Sequence, residues 1–451
     1  MAIVASIRPA NRAAQAPASA YWLALLLCLG LPAIALTAPT EPAAVQAALR
    51  HLETRNHIRF QHGGLDISVM MRDVDWQRLE TLKAFQELKF LTLSAGNVTD
   101  ADLVHLKDFD WLESLTISNT RVRGPGFEQL VRLPRLRSLC LIGKSFGDDT
   151  TPRLKDFLHL TNLALINSSV TDAGTGIIGE LRELEELQIS SARITNESLR
   201  HLQPLQKLRA LELNFVDFNS DINVTDGKKP QLVFSNQISN EGLQHLSALR
   251  DLRSLRLRST AITTVEPLHQ LPDLEKLELT LTPVTTEGLS ALGLFPALRK
   301  LRLGVAKIDE EGLGHISRAI HLEELDFCGT PVIDVALSHL LRLTRLKVLN
   351  LAGSGVTDFG IIALKQARSL ESLDLSGTKL GDEGMAALAE LPQLKVLMAR
   401  DTRITDRCVP SLEMMTALRE FDPIETGFTT DARLALQHRR PNLQIMVDAP
   451  P

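Results

Sequence analysis

LESLDLSGTKLGDEGMAALAELPQ, residues 370–393, is one copy of a unit that recurs along most of the chain. LKVLNLAGSGVTDFGIIALKQARS (346–369) and LEELQISSARITNESLRHLQPLQK (184–207) are two others. The first apolar residues of the central L-x-L pairs are Ile67, Leu91, Leu115, Leu139, Leu163, Leu187, Leu211, Leu255, Leu277, Leu301, Leu325, Leu349, Leu373, Leu397, Phe421 and Ile445. Of the fifteen intervals, thirteen are 24 residues, one is 44 and one is 22. A register kept over so many copies marks a stacked repeat rather than several independent domains.

Each unit has a physical reading. L-x-x-L-x-L alternates with period 2, so it reads as a short strand with Leu on one face. A turn follows, usually holding Thr (Thr260, Thr282, Thr330, Thr378, Thr402, Thr426), whose hydroxyl can bond backbone groups of the turn. Next comes I/V-T-D-x-G-L, as in Val170-Thr171-Asp172 and Val356-Thr357-Asp358, where Thr or Asp suits a helix N-cap. L-x-x-L-x-x-L spacing then predicts a short amphipathic helix. One unit cannot bury its Leu set alone, whereas stacked units share one apolar core.

The motif L-x-x-L-x-L-x-x-T-x-I/V-T-D-x-G-L resembles the leucine-rich repeat family over about residues 64–447. It is closest in pattern to bacterial 24-residue repeats related to the cysteine-containing subtype, with Thr where that subtype often has Cys or Asn. The 22-residue unit is similar to the internalin-type repeat, with Pro267 and Leu268 in its shortened outer segment. The resemblance implies an α/β solenoid, a horseshoe with parallel strands on the concave face and short helices on the convex face. Sixteen strands at ~4.8 Å give an inner rim of ~70 Å. It also implies caps at both ends. Residues 41–55, with Val45, Ala48, Leu49 and Leu52 on one face and Thr40 as N-cap, read as a helix within an N-terminal cap, 36–63. Residues 434–445 resemble an abbreviated last repeat, and 448–451 are a tail.

Residues 21–36, YWLALLLCLGLPAIAL, follow Arg8 and Arg12 and end on Ala33 and Ala35, the pattern of a secretory signal peptide. The run is shorter than the ~20 residues of a spanning helix and contains Pro32. Residues 1–35 are therefore expected to be cleaved near Ala35; the other reading is an uncleaved N-terminal anchor. Beyond that anchor no membrane partner is expected.

The chain has 451 residues, 44% hydrophobic and 23% charged, which excludes a disordered or collagen-like chain. Its 49 Lys+Arg against 54 Asp+Glu give no reason to expect nucleic acid. Aromatics are 4%, too few for a base- or sugar-stacking platform along the whole length. Cys140, Cys328 and Cys408, left after the leader, have neither a disulfide framework nor C-x-x-C spacing, and read as small apolar residues packed in repeats.

Chemistry is sparse. G-x-S-x-G, H-E-x-x-H, Walker and dinucleotide fingerprints are absent from the sequence, so no enzyme and no cofactor is expected. A catalytic Cys domain following the repeats, as in some family effectors, is not expected in the few residues after Val447. His105, His201, His245, His315 and His339 share one position of the outer helix, but no third metal ligand recurs with them, so the column reads as a solvent-facing polar position. The insertion at 214–237 holds Asp217, Asn219, Asp221, Asn223 and Asp226. As a calcium loop it lacks the turn Gly (Ile222) and the final Glu (Lys228). Ile222–Thr225 and Leu232–Phe234 around Asp226-Gly227 read instead as a β-hairpin.

The middle residues of L-x-L form the concave strip: Thr92, Thr116, Cys140, Ala164, Gln188, Glu212, Arg256, Glu278, Arg302, Asp326, Asn350, Asp374, Met398, Asp422. The strip begins small and neutral, alternates acid and base in the middle, and ends acidic. Two readings are open. Opposite charges on adjacent strands can neutralise one another. Alternatively the strip binds a macromolecule, most naturally a protein partner, since Arg is frequent in interface hot spots. That site would comprise Glu212, Arg256, Arg258, Glu278, Arg302 and Asp326, with Phe215, Phe218 and Phe234 of the insertion as apolar anchors. The expected function is thus a non-enzymatic extracytoplasmic binding protein. The alternatives are a cell-envelope or surface spacer without a ligand, and a ubiquitin-ligase-type adaptor, which the leader and the missing F-box disfavour.

Overall fold

The computed structural model describes residues 59–63, 66–71, 76, 89–94, 96–214 and 237–447. The leader, the expected cap helix at 41–55, the hairpin within 215–236 and the tail lie outside the described residues, as do Phe215, Phe218 and Phe234.

Among the described residues seventeen strands form one sheet. Arg59–Gly63 runs antiparallel to Asp66–Met71 and covers that edge. Every later strand lies parallel to its predecessor, ending with Gln444–Ile445 on Glu420–Asp422. The chain is therefore the α/β solenoid that the repeat implies. Leu91 lies opposite Leu115, Leu115 opposite Leu139, and Leu211 opposite Leu255 across the insertion. One position differs from the sequence reading: Leu91 pairs with Val69, not Ile67. A two-residue slip keeps every side chain on its own face, so alternation alone does not separate the two residues.

Strands are five residues long from Phe90–Ser94 to Ala210–Asn214 and three from Ser254–Arg256 to Glu420–Asp422. The outer segments include α-helices such as Asp172–Ile178 and Asp382–Leu388, and 3-10 helices such as Glu287–Leu294 and Asp334–Arg342. Inward Leu, Ile, Val and Phe side chains form one continuous buried cluster from Leu91 to Ile445.

Two hydrogen-bond ladders stitch the units. In the turns, Thr260, Thr282, Thr378, Thr402 and Thr426 donate their hydroxyls to the carbonyl three residues back, at 2.5–3.1 Å. Thr330 donates instead to the Leu303 carbonyl of the preceding unit, at 2.9 Å. On the outer side, Thr171, Thr195, Thr357 and Thr405 cap their helices as expected, accepting from the amide two residues on. The neighbouring Asp reaches further. Asp382 accepts the amide (2.8 Å) and hydroxyl (2.6 Å) of Thr405, 23 residues away. Asp148, Asp172, Asp334 and Asp406 hold Thr171, Thr195, Thr357 and Thr429 in the same way.

Arg440 ties the final described segment to the unit before it. Its guanidinium donates to the carbonyls of Leu412, Met415, Thr416 and Leu418 at 2.6–3.4 Å. No helix among the described residues is long and apolar enough to cross a membrane.

Candidate functional site on the concave strip

Four adjacent strands carry the charged centre: Ala210–Asn214, Ser254–Arg256, Lys276–Glu278 and Lys300–Arg302. Register places Glu212 beside Arg256, Arg256 beside Glu278, and Glu278 beside Arg302. Parallel pairing at ~4.8 Å spacing leaves neighbouring long side chains within reach of one another.

Arg256 Nη1 lies 2.7 Å from Glu212 Oε2. Gln188 also donates to Glu212, at 2.9 Å, and so does the Asn214 amide. Glu212 and Glu278 are nearly covered, with side chains 12% and 11% exposed. Burial pushes the Glu212 carboxyl above its ordinary range, and the opposing pull of Arg256 does not cancel this. Glu278 stands among three guanidinium groups: Arg256 Nε at 3.7 Å, Arg258 Nε at 3.4 Å and Arg302 Nη1 at 3.6 Å.

Five of the expected site residues, Glu212, Arg256, Arg258, Glu278 and Arg302, are thus brought into one cluster. Asp326 is not. It sits beside Arg302 in register, yet its Oδ1 accepts the Cys328 amide at 2.9 Å. Asn350, Asp374 and Asp422 do likewise with Ala352, Ser376 and Ile424. The acidic end of the strip therefore serves the turn that follows each strand, and Asp422 also pairs with Arg400 at 3.3 Å. The sequence signal was there: an Asp or Asn two residues before the turn, where a short side chain mimics a backbone acceptor.

The other sequence candidates resolve differently. His105 stacks on Trp76, with ring centroids 4.9 Å apart. His201 Nδ1 lies 2.9 Å from the Asp172 carbonyl, and His339 Nε2 lies 3.6 Å from Glu310. His315 is buried rather than solvent-facing, because its outer-helix position is covered in that unit. No group of three metal-ligating side chains occurs among the described residues. Cys140 and Cys408 are buried, and burial pushes both thiols up to about 12. Cys328 is exposed, contrary to the packed reading, because it lies outward in the turn after Phe327. An open depression of about 610 Å3 on the outer side is lined by Gly176, Gly179, Arg200 and His201 among others, and no nucleophile–base pair faces it.

The Leucine Rich repeat family model matches residues 270–293 and 366–389. An internalin of Listeria monocytogenes superposes with a TM-score of 0.50 at 18% identity, covering 91% of this chain and 96% of its own. A leucine-rich repeat protein of Leptospira interrogans gives 0.48 at 15% identity, with coverages of 84% and 99%. No curated protein matches the sequence. The repeat motif, the parallel solenoid and the family match agree: this chain is a leucine-rich repeat protein.

Proposed function

We propose that the chain is a non-enzymatic extracytoplasmic scaffold that binds a protein partner through its concave strip, with contact centred on Glu212–Arg302. The observation that carries this reading is the crowding of Arg256, Arg258 and Arg302 around the single carboxylate of Glu278. Self-neutralising ladders need one base per acid, and within this cluster three guanidinium groups stand over two carboxylates, Glu212 and Glu278, while Asp326 is turned to the Cys328 amide. A rigid curved sheet also presents such groups at low ordering cost on binding. Extracytoplasmic placement rests on the charged, apolar and small-residue order of residues 1–35.

The experiment is affinity capture with the mature solenoid as bait, beside an Arg256→Ala/Arg302→Ala bait of equal thermal stability. A partner retained by the parent and lost by the variant supports the reading. A partner held equally by both places the site elsewhere, and no partner in any cell fraction favours a spacer.

A further inference from the structure

The charged centre is short of acceptors. A guanidinium carries five N–H donors. Arg256 is engaged, with Nη1 on Glu212 at 2.7 Å and Nε 3.7 Å from Glu278. Arg258 and Arg302 meet Glu278 at 3.4 and 3.6 Å, longer than the ~2.7–2.9 Å of a charge-assisted hydrogen bond. Arg258 Nε is buried and has no hydrogen-bond partner among the described residues. Yet the two side chains are not sealed off: they are 33% and 52% exposed. Counted over Glu212 and Glu278 alone, three guanidinium groups leave one positive charge over, and the adjacent Asp326 turns its Oδ1 to the Cys328 amide rather than to Arg302.

We infer that Arg258 and Arg302 form a receptor for carboxylates of an extended acidic segment of a protein partner. This rests on the concave-recognition reading above and adds the partner's chemistry to it. A carboxylate accepts two parallel N–H bonds from a guanidinium fork, which a neutral acceptor cannot match. Arg258 follows the strand Ser254–Arg256, and Arg302 stands two strands further on. Two strand spacings are ~10 Å, close to the reach of three residues of polyproline II chain at ~3.1 Å each, whose side chains return to one face every third residue. The segment therefore carries acidic residues about three positions apart. Along the strip it passes from neutral Ala164 and Gln188 across Glu212, which is paired with Arg256, over the Arg pair, and stops short of Asp326 and Asp374, which repel it. Glu278 is the internal competitor: it occupies the same donors at long range.

The test uses the full solenoid and a fluorescein-labelled twelve-residue peptide, (Glu-Gly-Gly)4, with (Gln-Gly-Gly)4 as its neutral twin and inorganic tripolyphosphate as competitor. Expected are binding of the acidic peptide at least ~10-fold tighter than the neutral one, and a similar ~10-fold loss in Arg258→Gln/Arg302→Gln. Glu278→Gln moves the affinity the other way and tightens it, an outcome that loss of folding does not imitate. Equal binding of the two peptides, no binding, or indifference to these changes overturns the inference. Tripolyphosphate bound without any peptide binding overturns the protein-segment ligand in favour of a free anion. A captured partner that needs the concave face but ignores Arg258 and Arg302 defeats this inference alone. One indifferent to every concave change defeats the recognition reading itself.

Discussion

Val305 has φ +61°, the left-handed region that a β-branched residue almost never adopts. The equivalent turn position in the next three units is Gly329, Gly353 and Gly377, each near φ +67°. Earlier units use Asn119 and Asn167, whose short polar side chains tolerate the region. Val305→Gly should relieve steric strain of ~1–2 kcal/mol and lose ~0.5–1 kcal/mol through a freer unfolded chain. A net gain of up to ~1 kcal/mol in urea unfolding is expected; a clear loss would show that Val305 makes packing contacts worth more than the strain. Leu373 gives the opposite test, being fully buried in a strand. Leu373→Ala should cost ~2–5 kcal/mol, whereas Ser376→Ala, past the strand, should stay within about ±0.5 kcal/mol. Leu373 was legible because alternation and period both point it inward. Asp326 was not, because charge and position on the strip do not reveal whether a carboxylate faces a neighbour or folds back on its own turn.

The I/V-T-D element was half legible. Its Thr as a helix cap follows from local sequence, and the structure bears this out at Thr171, Thr195, Thr357 and Thr405. The inter-unit bond of Asp escaped because its partner lies 23 residues on, beyond any local window; a constant offset between Asp and the next Thr was the available signal. Asp382→Ala removes two acceptor contacts to Thr405 and should cost ~1–2 kcal/mol by chemical denaturation. Glu310→Ala, at the equivalent position with no such rung, should change stability by less than ~0.5 kcal/mol. The ladder also sets an acid response. Burial raises the Asp172 pKa, but bonds from the Ser198 hydroxyl and the Thr195 amide and hydroxyl outweigh it, so the net shift is downward. A carboxylate depressed in the folded state contributes stability at pH above its unfolded value, lost as pH falls through the folded one. Melting temperatures of the parent should therefore fall more steeply than those of Asp172→Asn as pH drops below the ordinary carboxylate range. Parallel acid limbs would show that the Asp172 charge contributes nothing to the rung.

At the scale of the whole solenoid, stability is close to a sum of unit and neighbour terms, so a missing neighbour term marks where the stack opens first. Side-chain rungs run from Asp148–Thr171 to Asn240–Thr263, and again from Asp334–Thr357 to Asp406–Thr429. Between these blocks the pattern changes. Thr264 bonds the Gly288 carbonyl, and Thr286 donates to Asp309. At the next junction Glu310 stands where Asp is usual, and Ile333, 53% exposed, where Thr is usual. No rung joins them among the described residues; a 3.6 Å contact of Glu310 with His339 spans the same units. This seam lies directly behind Arg302 and Asp326 on the concave side, and the period alone, unbroken at 24 residues there, gave no sign of it. Glu310→Asp with Ile333→Thr rebuilds the spacing of Asp334 and Thr357 and should add a rung worth ~1 kcal/mol. Either change alone leaves a donor or an acceptor without its partner, so the pair should exceed the sum of the singles by ~0.5 kcal/mol or more in a double-mutant cycle. Amide exchange should slow in the outer segments on both sides of the junction and stay unchanged around Thr171–Thr195. Strict additivity, with exchange at the junction unaltered, would mean that strand pairing and the shared Leu core already hold these two units as firmly as the stapled ones.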